Sequence, residues 1–341
     1  MGVIASALKI AILFAVLMGA VAYISFAERR VAGFIQERFG PNRVGPWGLF
    51  QPVADGLKFL FKEEVIPATA HRPTFILAPA IAMTAAVTAW AVMPFGGPIE
   101  AFGKWFIPQI ADLDVGILWI FAVASLGVYG IVLAGWSSNN KYSLIGGLRS
   151  SAQLISYELS MTLAVVGVLM AAGSLRLTDI VNAQAGSLWY VVAMPLGAFI
   201  FIVSAFAETN RLPFDLPEAE AELVAGYHTE YSAMKFAMFY LGEYMNMTLS
   251  SAMIVLLYLG GWNMPFIEGY LRGLPDVQRA AVHAVFFAGK IAVLVFVYMW
   301  VRWTLPRFRY DQLMRLGWKV LLPLALVNIV YVGAAVLLRW F

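Results

Sequence analysis

Carboxylates crowd one short segment of this sequence, between two long apolar runs. Residues 208–230, ETNRLPFDLPEAEAELVAGYHTE, hold the acids Glu208, Asp215, Glu218, Glu220, Glu222 and Glu230. Arg211 is the only lysine or arginine among them. Crowded carboxylates raise one another's pKa, and burial raises it further, so such groups exchange protons near neutral pH. We interpret the segment as a protonatable site that responds to a ligand bound nearby, with a solvated acidic loop as the alternative.

Two further glutamates, Glu158 and Glu243, each interrupt a long apolar run. A carboxylate inside a membrane span costs about 3 kcal/mol on insertion scales, so it is seldom retained without a role. We interpret both as members of a proton relay, with buried structural hydrogen bonding as the alternative. Lys290 lies midway along another apolar run, where it would pair with one of these glutamates or join the relay itself. Glu208, one helical turn after Ser204, would connect the relay to water or to a ligand.

The composition identifies the class of protein that must position these groups. The 341 residues are 61% hydrophobic and 13% charged, and their mean hydropathy is +0.78. Several apolar windows reach about 20 residues, enough for a helix to cross a hydrocarbon core of about 30 Å. The alternating segments typical of membrane β-barrels are absent. We therefore predict an all-α, polytopic membrane protein with a single transmembrane domain over residues 1–341.

The apolar runs predict about eight membrane spans. They lie near residues 3–27, 74–95, 115–136, 151–172, 188–207, 235–260, 280–303 and 318–340. Most lysines and arginines fall in or beside the loops that follow the odd-numbered spans. By the positive-inside rule, loops 28–73 and 208–234 face the cytoplasm and both termini lie on the outer side. The first run is too long for a signal peptide and lacks a cleavage pattern, so we interpret it as a retained helix.

The sequence also excludes several kinds of chemistry. It contains no cysteine, so the chain supplies no thiolate ligand for zinc or an iron–sulfur cluster. Its three histidines are far apart, and neither a P-loop nor a GxGxxG fingerprint occurs. We therefore expect no metal and no cofactor on this chain, and expect any redox input to come from a partner. The net charge of +3 does not indicate nucleic acid binding, because the cations are spread over membrane loops.

The first cytoplasmic loop contains a stretch with helical periodicity. Gln51, Asp55, Lys58 and Lys62 recur at helical spacing, and Val53, Leu57, Leu60 and Phe61 lie on the other side. This pattern predicts an amphipathic helix in the membrane interface, with a plain anchor as the alternative. Pro52 falls in its first turn, where a missing N–H costs little. Upstream, residues 28–48 combine four arginines with glycines and prolines, which would line a cavity or dock a soluble partner.

Two long motifs of this sequence resemble known signature segments. GLFQPVADGLKFLFKE, residues 48–63, and PFDLPEAEAELVAG, residues 213–226, are similar to those of one membrane component of the proton-pumping NADH:quinone oxidoreductase. That enzyme is respiratory complex I, and the component is called NADH dehydrogenase subunit one in mitochondria. Stretches beginning at Glu28 and Arg302 resemble two further segments of the family. The resemblance covers nearly the whole chain, with the motifs in the same order.

The resemblance implies roles for particular residues. A glutamate-lined proton path would use Glu158, Glu208, Glu218, Glu220, Glu222, Glu230 and Glu243, with Lys290 as a further candidate. The quinone tunnel would involve Glu28, Arg29, Arg30, Phe34, Gln36, Arg38 and Asp55, and we add Arg211 and Asp215 from the second motif. The chain would form the membrane part of the quinone chamber and couple quinone reduction to proton translocation.

The resemblance also implies partners and a location. FMN and iron–sulfur clusters would reside in hydrophilic-arm subunits, and ubiquinone would be the substrate. Small and antiporter-like membrane subunits, together with lipids, would be the other partners. We expect a bacterial inner membrane with periplasmic termini, or alternatively the mitochondrial inner membrane.

Three other functions remain open on the residues alone. A homologous component of a membrane-bound hydrogenase would carry similar motifs. Intramembrane glutamates also occur in free-standing proton or cation transporters, and a structural anchor would only hold a soluble enzyme on the membrane. A transporter is active alone, whereas a component of complex I co-purifies with flavin and iron–sulfur proteins.

Overall fold

The computed structural model of the chain is built almost entirely of helices. It describes residues 2–97, 99–101, 104–106, 108–185, 188–217, 220–264, 271, 273, 275–338 and 340. The α-helices are α1 (Gly2–Ile35), α2 (Gln51–Phe61), α3 (Arg72–Thr88), α4 (Gly116–Ser137), α5 (Lys141–Ala172), α6 (Leu177–Gln184), α7 (Tyr190–Ala193), α8 (Pro195–Glu208), α9 (Glu220–Leu223), α10 (Ala233–Tyr258), α11 (Asp276–Thr304), α12 (Tyr310–Arg315) and α13 (Leu322–Leu337). A π-helical turn, Leu316–Leu321, joins α12 to α13.

One short hairpin accompanies the helices. Strand β1 (Ile99–Ala101) pairs antiparallel with β2 (Lys104–Phe106), and Ile99 lies opposite Phe106. The sequence did not predict these strands, which follow the end of the α3 segment. The all-α prediction is otherwise confirmed.

Among the described residues, six helical segments are long and apolar enough to cross a membrane. They are Ser6–Ile35, Arg72–Val92, Gly116–Ser137, Lys141–Ala172, Asp276–Thr304 and Tyr310–Leu337. The predicted count of eight is not confirmed, because the helices at the other two predicted positions differ from these six. Helix α8 has only 14 residues, or about 21 Å. Helix α10 has 26 residues but is interrupted by Lys235, Glu243 and Asn246.

Helix α10 lies at the centre of the bundle, which explains why it tolerates polar residues. Every residue from Met247 to Tyr258 is buried. Helix α10 packs against α1, α3, α8 and α11. A helix surrounded by protein presents its polar groups to other side chains, whereas a helix in lipid must be apolar on its outer face. The helix that carries Glu243 is therefore enclosed by neighbouring helices.

The start of α5 shows why its predicted boundary was ten residues too late. The helix begins at Lys141, where the side chain of Asn140 accepts a hydrogen bond from Tyr142 N at 2.9 Å. Such an N-cap satisfies one of the unpaired N–H groups at a helix start. The apolar run begins later than the helix, so hydropathy alone misses the polar first turns. The extension brings Gly146 against the Gly226–Tyr227 turn, where an added Cβ would lie 2.7 Å from Tyr227 N.

Helix α2 is confirmed as a helix with Pro52 in its first turn. None of its residues is buried, and Val53, Leu57 and Leu60 are exposed. Its apolar side chains are therefore free to face lipid or a partner. Its interfacial position stays a prediction.

Candidate functional site

A buried arginine joins segments that are far apart in sequence. Arg211 Nη1 donates to Glu28 Oε2 of α1 at 2.7 Å, and Arg211 Nε lies 2.7 Å from Glu243 Oε1 of α10. The other oxygen of Glu28 accepts a short hydrogen bond from Arg302 Nη1 of α11. The Arg211 side chain is 1% exposed and that of Glu28 is 5% exposed. These four residues form one ionic cluster, the Arg211 cluster, which ties α1, α10 and α11 to the loop after α8.

Two cations meet two carboxylates in the Arg211 cluster, so the cluster is close to charge balance. Burial disfavours the charge on Arg211, but the carboxylates of Glu243 and Glu28 outweigh burial and hold the pKa of Arg211 well above its ordinary value. Tyr244 donates its hydroxyl to Glu28 Oε2 at 2.6 Å, and its ring centre lies 4.2 Å from the guanidinium carbon of Arg211. Any change in the net charge of the cluster near neutral pH must therefore come from a carboxylate.

The loop that carries Arg211 begins where α8 ends, at Glu208. Asn210 has a φ of 52°, a left-handed conformation that asparagine adopts more readily than most residues. Phe214 N then donates to Arg211 O at 2.8 Å and closes a tight turn. The Phe214 ring stacks on Phe308 at 5.5 Å. The loop is thereby fixed against the bundle, and Arg211 is held inside it.

Glu158, Glu208 and Glu243 line one cavity among α3, α4, α5, α8 and α10, which we call the acid cavity. Its volume is about 70 Å³, enough for several water molecules. Asn210 and Asn246 also line it. Three glutamates that the sequence assigned to a relay are therefore brought to one polar space.

The carboxyl groups in the acid cavity are held and coupled. Ser125 Oγ of α4 donates a short hydrogen bond to Glu158 Oε1. Glu158 and Glu208 repel each other when both are charged, so charge on one disfavours charge on the other. A smaller cavity of about 20 Å³, lined by Glu208, Asn246 and Ser250, lies farther along α10. This arrangement suits a proton that is shared among several acids.

A larger cavity of about 420 Å³ lies between α1, α2 and α10, and we call it the α2 cavity. Its lining includes Met18, Val21, Phe59, Leu60, Met234, Phe236 and Leu241. Arg29 and Asp55 also line it, and their ion pair measures 2.7 Å. A mostly apolar cavity with a few placed polar groups is typical of a site for a small apolar ligand.

Tyrosine hydroxyls connect the α2 cavity to the Arg211 cluster. Tyr240 lines the α2 cavity, and its hydroxyl lies 2.9 Å from that of Tyr244 and 3.4 Å from Ser25 Oγ. Tyr244 in turn donates to Glu28. Because Glu243 belongs to both the Arg211 cluster and the acid cavity, one line of polar contacts joins the two cavities.

The acids of the loop after α8 have more cationic partners than Arg211. Glu222 Oε2 accepts from Arg149 Nη1 of α5 at 2.6 Å, and Asp215 Oδ2 accepts from Arg307 Nη2 at 2.8 Å. The expectation that these acids share a single cation was therefore wrong. Arg149 and Arg307 lie far away in sequence, so the local pattern contained no signal for them.

The remaining loop acids have different surroundings. Glu230 Oε1 accepts from Asn140 Nδ2 at 2.6 Å, which ties the loop to the start of α5. Glu230 is not among the residues that line the acid cavity as the structure describes it. Glu218 and the side chain of Glu220 lie outside the described residues, although the backbone of Glu220 begins α9. The place of these three acids in a proton path stays a prediction.

We expect the Glu222→Gln variant to change quinone-linked turnover by less than about twofold, because an exposed ion pair contributes little. The Glu222 side chain is 59% exposed. The measurement is turnover of the assembled enzyme in membranes, with Arg149→Gln as the matched variant of the partner. A loss of about tenfold in Glu222→Gln alone would mean that protons pass through this side chain.

Lys290 does not contact a carboxylate among the described residues. Its ammonium group donates to the carbonyl oxygens of Leu259, Gly261 and Asn263 at 2.8, 2.8 and 2.9 Å. The ammonium also lies 4.6 Å from the centre of the Trp189 ring. The expected ion pair across the bundle is therefore wrong, and Lys290 instead binds the backbone just after α10.

The predicted quinone residues after Arg29 lie on the surface. Phe34 is 80% exposed, and Arg38 Nε donates to Gln36 Oε1 at 2.7 Å. Arg30 Nη2 donates to the carbonyl oxygen of Trp47 at 2.6 Å. The structure places these groups at and beyond the end of α1, away from the lining of the α2 cavity. Their role stays a prediction.

His228 stands in the 3-10 turn that precedes α10. Burial lowers the pKa of His228 to about 4, although Glu243 acts in the opposite direction. The ring packs edge-on against Phe236 at 5.3 Å. His228 is therefore neutral at pH 7, and it adds no positive charge beside Glu243.

Sequence reasoning missed several residues of this site. Tyr244 lies next to the predicted polar face of α10, and Ser125 looks like a small residue in an apolar span. Arg302 stands out in the sequence only as a cation at the edge of a cytoplasmic loop. The one usable signal was the spacing of Tyr240 and Tyr244, which places both hydroxyls on neighbouring turns.

Among the described residues, no group of three or more His, Asp or Glu side chains is arranged to hold a metal ion. The family model described as NADH dehydrogenase matches residues 8–333. The chain is 51% identical to the first of the H-type subunits of the NADH-quinone oxidoreductase of Cytophaga hutchinsonii, over 93% of this chain and 92% of that protein. It is 51% identical to the H-type component of the NADH-quinone oxidoreductase of Leptospira biflexa, over 96% and 94%.

A third relative is NADH-quinone oxidoreductase subunit 8 of Rhodothermus marinus, which is 53% identical over 92% of each chain. All three similarities extend over nearly the full length, and so include the segments that carry the Arg211 cluster and both cavities. The chain therefore belongs to the NADH dehydrogenase family, as an H-type membrane subunit of NADH-quinone oxidoreductase.

Proposed function

We propose that this chain forms the membrane part of the quinone-binding chamber and couples quinone reduction to proton translocation. The observation that carries the proposal is the line of polar contacts from the α2 cavity to the acid cavity. It runs through Tyr240, Tyr244, Glu28, Arg211 and Glu243. Each step is a side-chain contact within 3 Å.

The α2 cavity fits a quinone in size and polarity. A volume of about 420 Å³ is within the range of small-molecule sites. Apolar side chains line most of it and would contact an isoprenoid tail. The Arg29–Asp55 pair and the Tyr240 hydroxyl would hydrogen-bond to a polar head group. Helix α2 forms one wall and exposes its apolar residues, so the entrance would open toward the membrane.

The coupling step would be electrostatic. When quinone is reduced it takes up protons, and the charge around Glu28 and Arg211 changes. Glu243 feels that change directly because it shares Arg211 with Glu28. A shift in the charge of Glu243 would in turn alter proton sharing among Glu158, Glu208 and Glu243 in the acid cavity.

Family membership supports the rest of the assignment. Quinone would be the substrate, with ubiquinone as the form that the resemblance implies, and FMN and iron–sulfur clusters would belong to partner subunits. Hydrophilic-arm subunits would cover the cytoplasmic loops 28–73 and 208–234. We propose a bacterial inner membrane location with both termini periplasmic.

The chamber is tested by filling it. Gly56 lines the α2 cavity, and an added Cβ there meets nothing within 4 Å. We expect Gly56→Trp to raise the KM for quinone by about tenfold, corresponding to about 1.4 kcal/mol, because the indole occupies the ligand's space. Quinone titration of the assembled enzyme gives KM, and ferricyanide reduction by NADH measures electron input, which should be unchanged.

Gly289→Trp is the matched control for this variant. Gly289 lies on an exposed face of α11, and its added Cβ also meets nothing within 4 Å. An unchanged KM in Gly56→Trp, or an equal rise in both variants, would contradict a quinone in the α2 cavity.

A further inference from the structure

A buried glutamine of α5 holds the turn that carries both Glu208 and Arg211. Gln153 is 0% exposed. Its Nε2 donates to Ala207 O at 2.7 Å and to Phe214 O at 2.8 Å. These carbonyls lie on either side of the turn, one just before Glu208 and one just after it closes. One side-chain amide therefore clamps the two ends of the turn together.

The orientation of this amide follows from chemistry. Carbonyl oxygens only accept hydrogen bonds, so the group that faces Ala207 O and Phe214 O must be the NH2 and not the oxygen. Asn210 Oδ1, inside the same turn, lies 3.3 Å from the same nitrogen. The amide thus has three acceptors around one donor nitrogen, and both of its N–H bonds are used by the turn.

Both functional groups of the turn depend on its shape. Glu208 is followed at once by the turn and lines the acid cavity, whereas Arg211 is at its centre and reaches Glu28 and Glu243. Gln153 also stands on the same helix as Glu158, little more than one turn earlier. The distance from Glu158 to Glu208 is therefore set by one helix and one amide.

We propose that Gln153 is a positioning residue: it keeps Glu208 at the acid cavity and Arg211 in its cluster, and so sets the efficiency with which the two sites communicate. This inference rests on the proposed coupling function. Gln153 touches neither cavity's proposed ligand, and it acts through the backbone of residues 207–214.

The direct test is Gln153→Met, which keeps the length and volume of the side chain but removes the donor. We expect quinone-linked turnover of the assembled enzyme to fall by about tenfold, because two buried carbonyls lose their partner. Ferricyanide reduction by NADH should stay at the wild-type rate. A wild-type rate of quinone-linked turnover in Gln153→Met would overturn the proposal.

Gln184→Met is the matched control. Gln184 is also buried, and its Nε2 donates to Leu256 O near the other end of α10 at 2.9 Å. It belongs to neither the acid cavity nor the Arg211 cluster. A tenfold loss in this control as well would assign the effect to general loss of packing and overturn the positioning role.

Gln153→Glu separates positioning from a structural role by its pH profile. Ionised, the new carboxylate faces two carbonyl oxygens and repels them; protonated, it regains one O–H donor. We expect its turnover, relative to wild type, to rise as pH falls from about 8 to about 6, whereas the loss in Gln153→Met stays constant. A flat ratio for Gln153→Glu would overturn the proposal.

The double variant Gln153→Met/Glu208→Gln distinguishes this inference from the proposed function. If Gln153 acts through Glu208, the double variant loses no more turnover than Glu208→Gln alone. A loss in Glu208→Gln with full turnover in Gln153→Met overturns the inference and leaves the proposed function standing. Full turnover in Glu208→Gln with a loss in Gln153→Met overturns the proposed route, and with it the positioning of Glu208.

Discussion

Arg211→Met is expected to abolish quinone-linked turnover, with a loss of at least about a hundredfold, or to prevent the chain from assembling with its partners. The substitution leaves Glu28 and Glu243 without their shared cation in a buried place. Removing one partner of a buried ion pair costs about 3–5 kcal/mol. Quinone-linked NADH oxidation measures the loss, and the amount of assembled enzyme in membranes shows whether the fold survives.

Arg211→Lys is the control that keeps the charge. A lysine carries its charge at one point and lacks the planar fork that contacts two carboxylates at once. Its turnover should therefore fall between that of wild type and that of Arg211→Met. Equal turnover in wild type and Arg211→Met would show that the Arg211 cluster has no role in this enzyme.

Glu208→Gln is the second substitution with a large expected effect. Its amide matches the carboxyl group in shape but does not exchange a proton near neutral pH, so the acid cavity loses one of its proton carriers. We expect quinone-linked turnover and proton translocation to fall by at least about tenfold, while ferricyanide reduction by NADH is unchanged. Glu158→Gln should give the same pattern, because both side chains line the acid cavity.

Proton translocation in proteoliposomes is the decisive measurement for these two variants. The matched control is Glu222→Gln, an exposed carboxylate outside the acid cavity. Full translocation coupled to quinone reduction in both Glu208→Gln and Glu158→Gln would exclude the proposed path.

The sequence predicted the helical membrane fold because apolar runs of span length are visible without any tertiary information. It missed the shape of α8, since hydropathy does not show that a chain leaves the helix between Ala193 and Pro195 or at Glu208. It also set the start of α5 too late, because the capping residue Asn140 lies outside the apolar run. Helix ends depend on local backbone chemistry that a hydropathy average removes.

The candidate site was predicted in part. The glutamates of the acid cavity stood out because carboxylates are rare in apolar runs. Their partners did not, since Arg211 meets Glu28 across 183 positions of sequence and Arg302 meets Glu28 across 274. Pairing over such separations is decided by how helices pack. A single sequence carries no periodicity from which it can be deduced.

The Lys290 ammonium limits how a signal can move along α10. The helix is tied near its cytoplasmic end by Arg211, through Glu243, and just beyond its far end by Lys290, through three carbonyl oxygens. A piston-like displacement of the whole helix would break both ties at once. Rearrangement of side chains and protons between two fixed ends breaks neither, so it is the transmission mode that this architecture favours.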